Sequence, residues 1–185
     1  MIGFYWLQAG GFFSDEEVVR MDRLMLGTLV KAQDNWWRRK DGNIPLGHRH
    51  HSKGTYEFLL LARFIKENAD ISAEAFAQCE QWIRECQSFM DALCRACNDD
   101  QDDETTLNNM STLVWYSLGE ERYFFFESGN ARQVTLRALA LTDNMGAGAG
   151  QGGYGESHMS AMYTQIDATT VVSASAFYYQ DPQLK

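Results

Sequence analysis

The 185-residue sequence is poor in proline and in basic side chains, and it has no long apolar run. Its two prolines exclude a proline-rich linker or recognition segment. Its longest uninterrupted apolar runs fall far short of the roughly 20 residues that a membrane-spanning helix needs, so no span is expected. The apolar residues 1–13 have no basic segment before them and no small-residue cleavage site after them, which argues against a signal peptide.

The shortage of positive charge is concentrated in one half of the chain. The whole sequence has 16 basic and 25 acidic residues, a net charge of −9. Residues 1–97 contribute 12 basic and 13 acidic groups, whereas residues 98–185 contribute 4 and 12, a net charge of −8. A surface of this sign repels nucleic acids and anionic membranes, so neither is an expected partner.

Cysteine is also scarce, and its four positions share one helical pattern. Neighbours on a rigid helix do not readily form disulfides, so free thiols and a reducing cytoplasm are expected. The cysteines fall on the apolar face of their helix, where each serves as a small buried hydrophobe rather than as a metal ligand. We therefore predict no metal site and no cofactor. The four residues are Cys79, Cys86, Cys94 and Cys97.

Helical signals occupy the amino-terminal half. Ser14 and Glu17 have the spacing of a capping box, which predicts a helix from about residue 15 to residue 36. A second helix is predicted at residues 56–68, with Asn68 at its carboxyl end. A third is predicted to start near Ser72 and to include the cysteines.

The period of the pattern changes after the acidic run at residues 98–104. Alternating apolar and polar residues predict four strands, and Gly119-Glu120-Glu121 is typical of the hairpin between the first two. Helices followed by strands predict an α+β fold, with three amino-terminal helices packed on a carboxyl-terminal antiparallel sheet of about four strands. The expected organisation is one domain, with a helical half at residues 1–97, a linker at 98–104 and a strand half at 105–185. The strands are expected at residues 111–118, 122–127, 132–141 and 169–179.

Aromatic side chains would cover both faces of this sheet. Phe124 and Phe126 point to one face of the predicted strand, and Tyr123 and Phe125 point to the other. One aromatic face would then stay outside, which is typical of a partner surface or of self-association. The alternative is that a terminal segment of the chain covers it.

The segment from residue 35 to residue 53 is the exception to the acidic surface, with a net charge of +4. Arginine forks bind phosphate and indole rings stack on bases, which suggests a small enzyme or binding domain for a phosphorylated ligand. The alternative is a solvated surface that pairs with the chain's own carboxylates. The anion-binding candidates are Arg38, Arg39, Arg49 and Lys53, the stacking candidates are Trp36 and Trp37, and the candidates for proton transfer are His48, His50 and His51.

The glycine-rich residues 146–155 contain GxGxxG twice. A dinucleotide-binding fold needs a helix and then a parallel strand after the glycines. The residues that follow residue 155 predict only a short polar stretch and one strand, so this fold is not expected. A flexible loop is the better interpretation.

The acidic, aromatic half suggests a protein that meets a basic surface through complementary charge. The first hypothesis is therefore a non-enzymatic cytoplasmic interaction protein of inhibitor, immunity or adaptor type; the phosphorylated-ligand domain is the alternative. The expected partner is a protein with a basic surface. Association of two or more copies of this chain is a further possibility. The candidates for steering are Asp99, Asp100, Asp102, Asp103, Glu120 and Glu121, and those for direct contact are Tyr123 and Phe125.

Overall fold

The computed structural model describes residues 7–32, 49–96, 103–140 and 157–182, with side chains at 7–32, 52–96, 110–140 and 168–182. Helices make up nearly all of this part of the chain, and no strand occurs within it. Its helices are α1 (Asp15–Ala32), α2 (Arg49–Asn68), α3 (Ala73–Ala96), α4 (Asp103–Gly119), α5 (Phe124–Glu127), α6 (Asn130–Ala140) and α7 (Ser157–Tyr179).

The α+β prediction is wrong, because all four expected strands lie in helical regions. Residues 111–118 belong to α4, and residues 122–127 contain α5. Residues 132–140 and 169–179 belong to α6 and α7. The described part of the chain is therefore all-helical, with no antiparallel sheet.

Burial shows why the alternating pattern was misleading in α6. Its buried residues are Ala131, Val134, Thr135 and Ala138, at the spacing of three and four that one helix face requires. Val134 and Ala138 also fit the alternation of a strand, because they are an even number of residues apart. A short apolar segment of this kind is therefore compatible with a strand and with a helix. In α4 the buried side chains lie on most sides of the helix, which removes the periodic signal altogether.

Three predicted helix ends in the first half are confirmed: the start of α1, the end of α2 and the start of α3. The predicted start of the second helix at residue 56 is wrong, because α2 begins at Arg49, and the predicted end of the first helix at residue 36 lies outside the described residues. The backbone N–H of Ser14 donates to Glu17 Oε2 at 2.8 Å, and the N–H of Glu17 donates to Ser14 Oγ at 3.3 Å, which is the reciprocal capping box. The Asn68 amide donates to the carbonyl of Phe64 at 2.9 Å where α2 ends. Ser72 Oγ accepts from the N–H of Ala75 at 3.2 Å where α3 begins.

The chain divides into two units, and the division falls inside α3. The first unit contains Met1–Pro45 and Gly54–Ser88, and the second contains Leu46–Lys53 and Phe89–Lys185. In the first unit Phe58 and Trp82 pack edge to face with ring centroids 5.4 Å apart. In the second unit α4 and α6 both pack against α7, and α5 contacts α4 and α6.

The described cysteines lie in the interior. Cys79, Cys86 and Cys94 are free thiols with no exposed surface, as their shared helix face predicts, whereas Cys97 lies outside the described residues. Burial raises the pKa of the Cys79 thiol and raises that of Cys94 to about 12. A protonated, enclosed thiol is a poor nucleophile, so these cysteines are structural.

We expect the Cys97→Ser variant, which retains only these three thiols, to show almost no reaction with a disulfide-exchange reagent at neutral pH. All three should react after denaturation, because unfolding exposes the sulfur atoms and returns each pKa to its ordinary value. Counting released chromophore before and after addition of guanidinium checks this. A fast reaction of one or more equivalents with the folded variant would contradict the burial.

None of the described helices combines the length and apolar character needed to span a membrane.

Candidate interaction groove

A groove of about 550 Å³ lies between α4 and α7 in the second unit. This volume falls within the range of about 300–1,000 Å³ that is usual for binding clefts. We call it the aromatic groove. It is lined by Val114, Trp115 and Leu118 of α4, by Tyr123, and by Thr170, Ser173, Ala174, Phe177 and Tyr178 of α7.

The α7 side of the groove follows directly from helical spacing. Residues 170, 173, 174, 177 and 178 follow the i, i+3, i+4, i+7 and i+8 spacing of one helix face, so they form one continuous surface. The opposite side of α7 is held by α6, where the Thr135 hydroxyl donates to Ser175 Oγ at 2.7 Å. Arg132 adds an ion pair with Asp181 at 3.2 Å, just after the end of α7. One face of α7 is therefore anchored and the other lines the groove.

Large apolar side chains are exposed along this groove. Trp115 is 43% exposed and Leu118 is 49% exposed on α4. On α7, Phe177 is 75% exposed and Tyr178 is 37% exposed. Single exposed apolar residues are ordinary, but four that line one groove form a continuous apolar patch, which makes this groove the candidate binding surface.

The aromatic rings at one end of the groove are braced from beneath by α5. Phe126, which is 1% exposed, stacks on Tyr178 with ring centroids 4.6 Å apart. Tyr123 lies 5.8 Å from the same tyrosine ring. The Tyr179 hydroxyl donates to the carbonyl of Phe126 at 2.6 Å. These contacts fix the wall before any partner arrives, which lowers the entropic cost of binding.

A buried carboxylate positions the turn between α4 and α5. Asp91 Oδ1 accepts from the Tyr116 hydroxyl at 2.6 Å and from Arg122 Nε at 2.8 Å, and the guanidinium also contacts Oδ2. Burial, reinforced by the Asp91 carboxylate, raises the pKa of the Tyr116 hydroxyl well above its usual range, so the phenol stays a donor. Arg95 stacks on the ring of Phe124 at 3.6 Å. Together these contacts fix the chain between Leu118 and Tyr123 at the edge of the groove.

The turn itself has the hydrogen bonds of a helix-ending Schellman motif. The N–H of Arg122 donates to the carbonyl of Ser117 at 3.0 Å, which is the six-to-one bond of that motif. The N–H of Glu120 donates to the carbonyl of Tyr116 at 2.9 Å, an ordinary helical bond over four residues. Glu121 adopts a left-handed conformation with φ 55°, at the position where glycine is the usual residue. Gly119 is the last residue of α4, and Glu120 and Glu121 form a turn between two helices, so the predicted hairpin at Gly119-Glu120-Glu121 is wrong.

The structure brings some of the predicted site residues together and separates others. Glu120, Glu121 and Tyr123 lie beside or within the aromatic groove, and Glu121 is exposed. Phe125, the other residue predicted for direct contact, has no exposed surface, so its ring belongs to the core.

The remaining predicted positions are mostly outside the described residues. Lys53 is exposed on α2. Only the backbone is described for Arg49, His50 and His51 in the first turn of α2, and for Asp103 at the start of α4. The positions outside the described residues are Trp36, Trp37, Arg38, Arg39, His48, Asp99, Asp100 and Asp102.

Sequence reasoning missed the residues that dominate the groove. Trp115, Leu118, Phe177 and Tyr178 were assigned to strands, where their side chains would point to alternate faces. The spacing from Thr170 to Tyr178 contained the signal, because it also fits one helical face. The opposing side chains of α4 come from a helix about sixty residues earlier, and no local pattern joins the two.

Two smaller cavities lie in the first unit. A cavity of about 180 Å³ is lined by α1 and α2, and another of about 130 Å³ is lined in part by Asp22. Burial raises the pKa of the Asp22 carboxyl. Both cavities fall below the usual volume of a ligand site, so the aromatic groove is the stronger candidate. Within the described residues no cluster of three potential metal-binding side chains occurs.

Comparison with protein-family models, with curated proteins and with solved structures found no match. The function therefore has to be argued from the groove and its surroundings.

Proposed function

We propose that the protein is a non-enzymatic interaction protein whose second unit binds a helical segment of a partner protein in the aromatic groove. The observation that supports this most directly is the alignment of Trp115, Leu118, Phe177 and Tyr178 along one groove. Tryptophan and tyrosine are the residues that most often dominate binding energy at protein interfaces. An inhibitor, immunity or adaptor protein needs such a surface and needs no catalytic group.

A helix fits this surface better than a small metabolite does. A groove between two helices accepts the apolar face of a third, with side chains at spacings of three and four entering it. Small-molecule sites combine apolar walls with several convergent polar groups that fix orientation. Here the walls are mainly aromatic and aliphatic, and hydroxyl groups such as that of Ser173 are the main polar contribution.

The phosphorylated-ligand alternative has no described geometry to support it, since Lys53 is its one described side chain. We propose a cytoplasmic location for this interaction, and the free thiols of Cys79, Cys86 and Cys94 support it.

Selection from a display library of helical peptides tests the groove directly. Peptides of about 20 residues, with a helical length of about 30 Å, span a typical helix-binding groove. Selection on the full chain should enrich sequences with apolar residues at i, i+3 or i+4, and i+7. Truncation of a central interface aromatic costs about 2 kcal/mol or more, so Phe177→Ala should weaken binding of the best peptide by about thirtyfold or more.

Leu136→Ala provides the matched control, since Leu136 is exposed on α6 and does not line the groove. It should leave the affinity unchanged within about twofold. The proposed function would be contradicted if the selected peptides showed no helical spacing of apolar residues. It would also be contradicted if Phe177→Ala and wild type bound the best peptide equally. Circular dichroism spectra of both variants establish that they remain folded.

A further inference from the structure

We infer that the acidic turn, defined as Gly119-Glu120-Glu121, recognises a lysine or arginine at one end of the partner helix. This inference rests on the proposed function and specifies the partner: an amphipathic helix with an apolar face and a basic end. Three independent features of the turn support it.

The first feature is its location. Leu118 immediately precedes the turn and Tyr123 follows it after Arg122, and both Leu118 and Tyr123 line the aromatic groove. The turn is therefore at the edge of the groove, and Glu121 is exposed there. A helix that fills the groove brings its polar flank or its end within reach of these carboxylates.

The second feature is the conformation of Glu121. Its φ of 55° is unfavourable for a side chain with a Cβ, and glycine normally occupies this position of a Schellman motif. The chain uses glycine at the left-handed position before α6, where Gly129 has φ 82°, whereas after α7 the left-handed residue is Gln180, with φ 52°. Strained non-glycine residues concentrate at functional sites, where the side chain has a use that the backbone alone does not explain.

The third feature is that the nearby cations are engaged elsewhere. Arg122, next in the chain, is bound to the buried Asp91, Arg132 is paired with Asp181, and Arg95 is stacked on the ring of Phe124. Glu121 has no ion pair or side-chain hydrogen bond with any described residue. Since residues 98–185 have 12 acidic and 4 basic groups, this half offers little further compensation. A partner cation would meet an uncompensated carboxylate.

The same charge balance favours a different protein over a second copy of this chain. A second copy would bring its own net charge of −9 to the contact, and like charges oppose association. A basic helix gains from the field of the acidic half during encounter and from the acidic turn once bound.

The test uses the best peptide from the helical library and a version in which its terminal Lys or Arg residues are replaced by glutamine. With wild type the replacement should weaken binding about two- to fivefold, the usual range for a surface ion pair. With Glu121→Gln the difference between the two peptides should become clearly smaller, while a residual difference from Glu120 and the field of the acidic half remains. Fluorescence anisotropy at low and high salt measures this, and the difference seen with wild type should shrink as salt rises.

A second variant separates recognition from structure. Glu121→Gly removes both the charge and the conformational strain, so it should melt about 2–4 °C higher and still bind the basic peptide more weakly than wild type. Glu127→Gln is the control, because Glu127 is exposed in the same unit and lies outside the groove lining. It should change neither the preference for the basic end nor the melting temperature.

The outcomes distinguish this inference from the proposed function. Enriched peptides that have the apolar pattern but no basic preference would overturn the inference and leave the proposed function standing. Equal charge preference in wild type and Glu121→Gln would do the same. Absence of any helical pattern would overturn both. Sedimentation that shows dimers which Phe177→Ala dissociates would assign the groove to a second copy and overturn the inference.

Discussion

Replacing Phe126 with alanine is expected to lower the free energy of unfolding by about 3–5 kcal/mol, the range measured for large aromatic side chains deleted from a core. The ring is 1% exposed, packs against Phe125 at 5.8 Å and stacks on Tyr178 at 4.6 Å. Its removal leaves a cavity beneath the wall of the aromatic groove. The loss therefore combines reduced apolar burial with lost contacts around the cavity. Urea denaturation followed by circular dichroism measures it.

Phe177→Ala is the matched control, because the chemical change is identical and Phe177 is 75% exposed. We expect the free energy of unfolding to change by less than about 0.5 kcal/mol, as for most surface substitutions. The two variants should also separate stability from binding. Phe177→Ala should lose affinity for the selected peptide while keeping its stability. Similar losses of stability in both variants would show that Phe177 is part of the core.

Replacing Asp91 with alanine is expected to cost about 3–5 kcal/mol, as for removal of one partner from a buried ion pair. The carboxylate accepts from the fully buried Tyr116 hydroxyl and from the partly buried Arg122 guanidinium. The substitution would leave both donors without their acceptor. The lower end of the range is expected, because Arg122 is 37% exposed and can regain water. Thermal and urea unfolding of the variant would measure the change.

Two further substitutions test the origin of this cost. Tyr116→Phe deletes one hydrogen bond and leaves the Asp91–Arg122 pair in place, so it should cost about 1–2 kcal/mol. Arg20→Gln removes an exposed ion pair to Glu16 on α1, in which both side chains are more than 70% exposed, and should cost less than about 0.5 kcal/mol. A loss below 1 kcal/mol for Asp91→Ala would mean that the carboxylate does not hold the turn.

The start of α1, the end of α2 and the start of α3 were predictable because their signals are local. Ser14 and Glu17 lie three residues apart and need only their own backbone amides to form the capping box. Ser72 and Asn68 act over three and four residues in the same way. The cysteine positions were also predictable, since one amphipathic helix places its apolar residues at a fixed period.

The carboxyl-terminal half was not predictable by the same means. Tyr123, Phe124, Phe125 and Phe126 look like a strand with two apolar faces, yet they form the start of a short helix in which Phe125 and Phe126 are buried and Tyr123 lines the groove. β-branched residues in α7, such as Thr170 and Val171, also favour strands when they are taken alone. Packing against α4 and α6 outweighs these weak local preferences.

The groove, too, was predictable only in the part that depends on local sequence. Tyr123 was predicted from the sequence as a contact residue, but the α7 side chains that line the groove with it were not, because α4 and α7 are distant in sequence. Phe125 was assigned to the surface for lack of any signal that separates a buried aromatic from an exposed one.

The sequence by itself determined the charge asymmetry, the free thiols and the capping of the first helices, because each depends on composition or on neighbours within four residues. Only the tertiary structure decided that the carboxyl-terminal half is helical and that Trp115, Leu118, Phe177 and Tyr178 share one groove. The physical reason is that apolar side chains are buried by contacts between distant segments. Those contacts select one conformation for residues whose local preferences fit two.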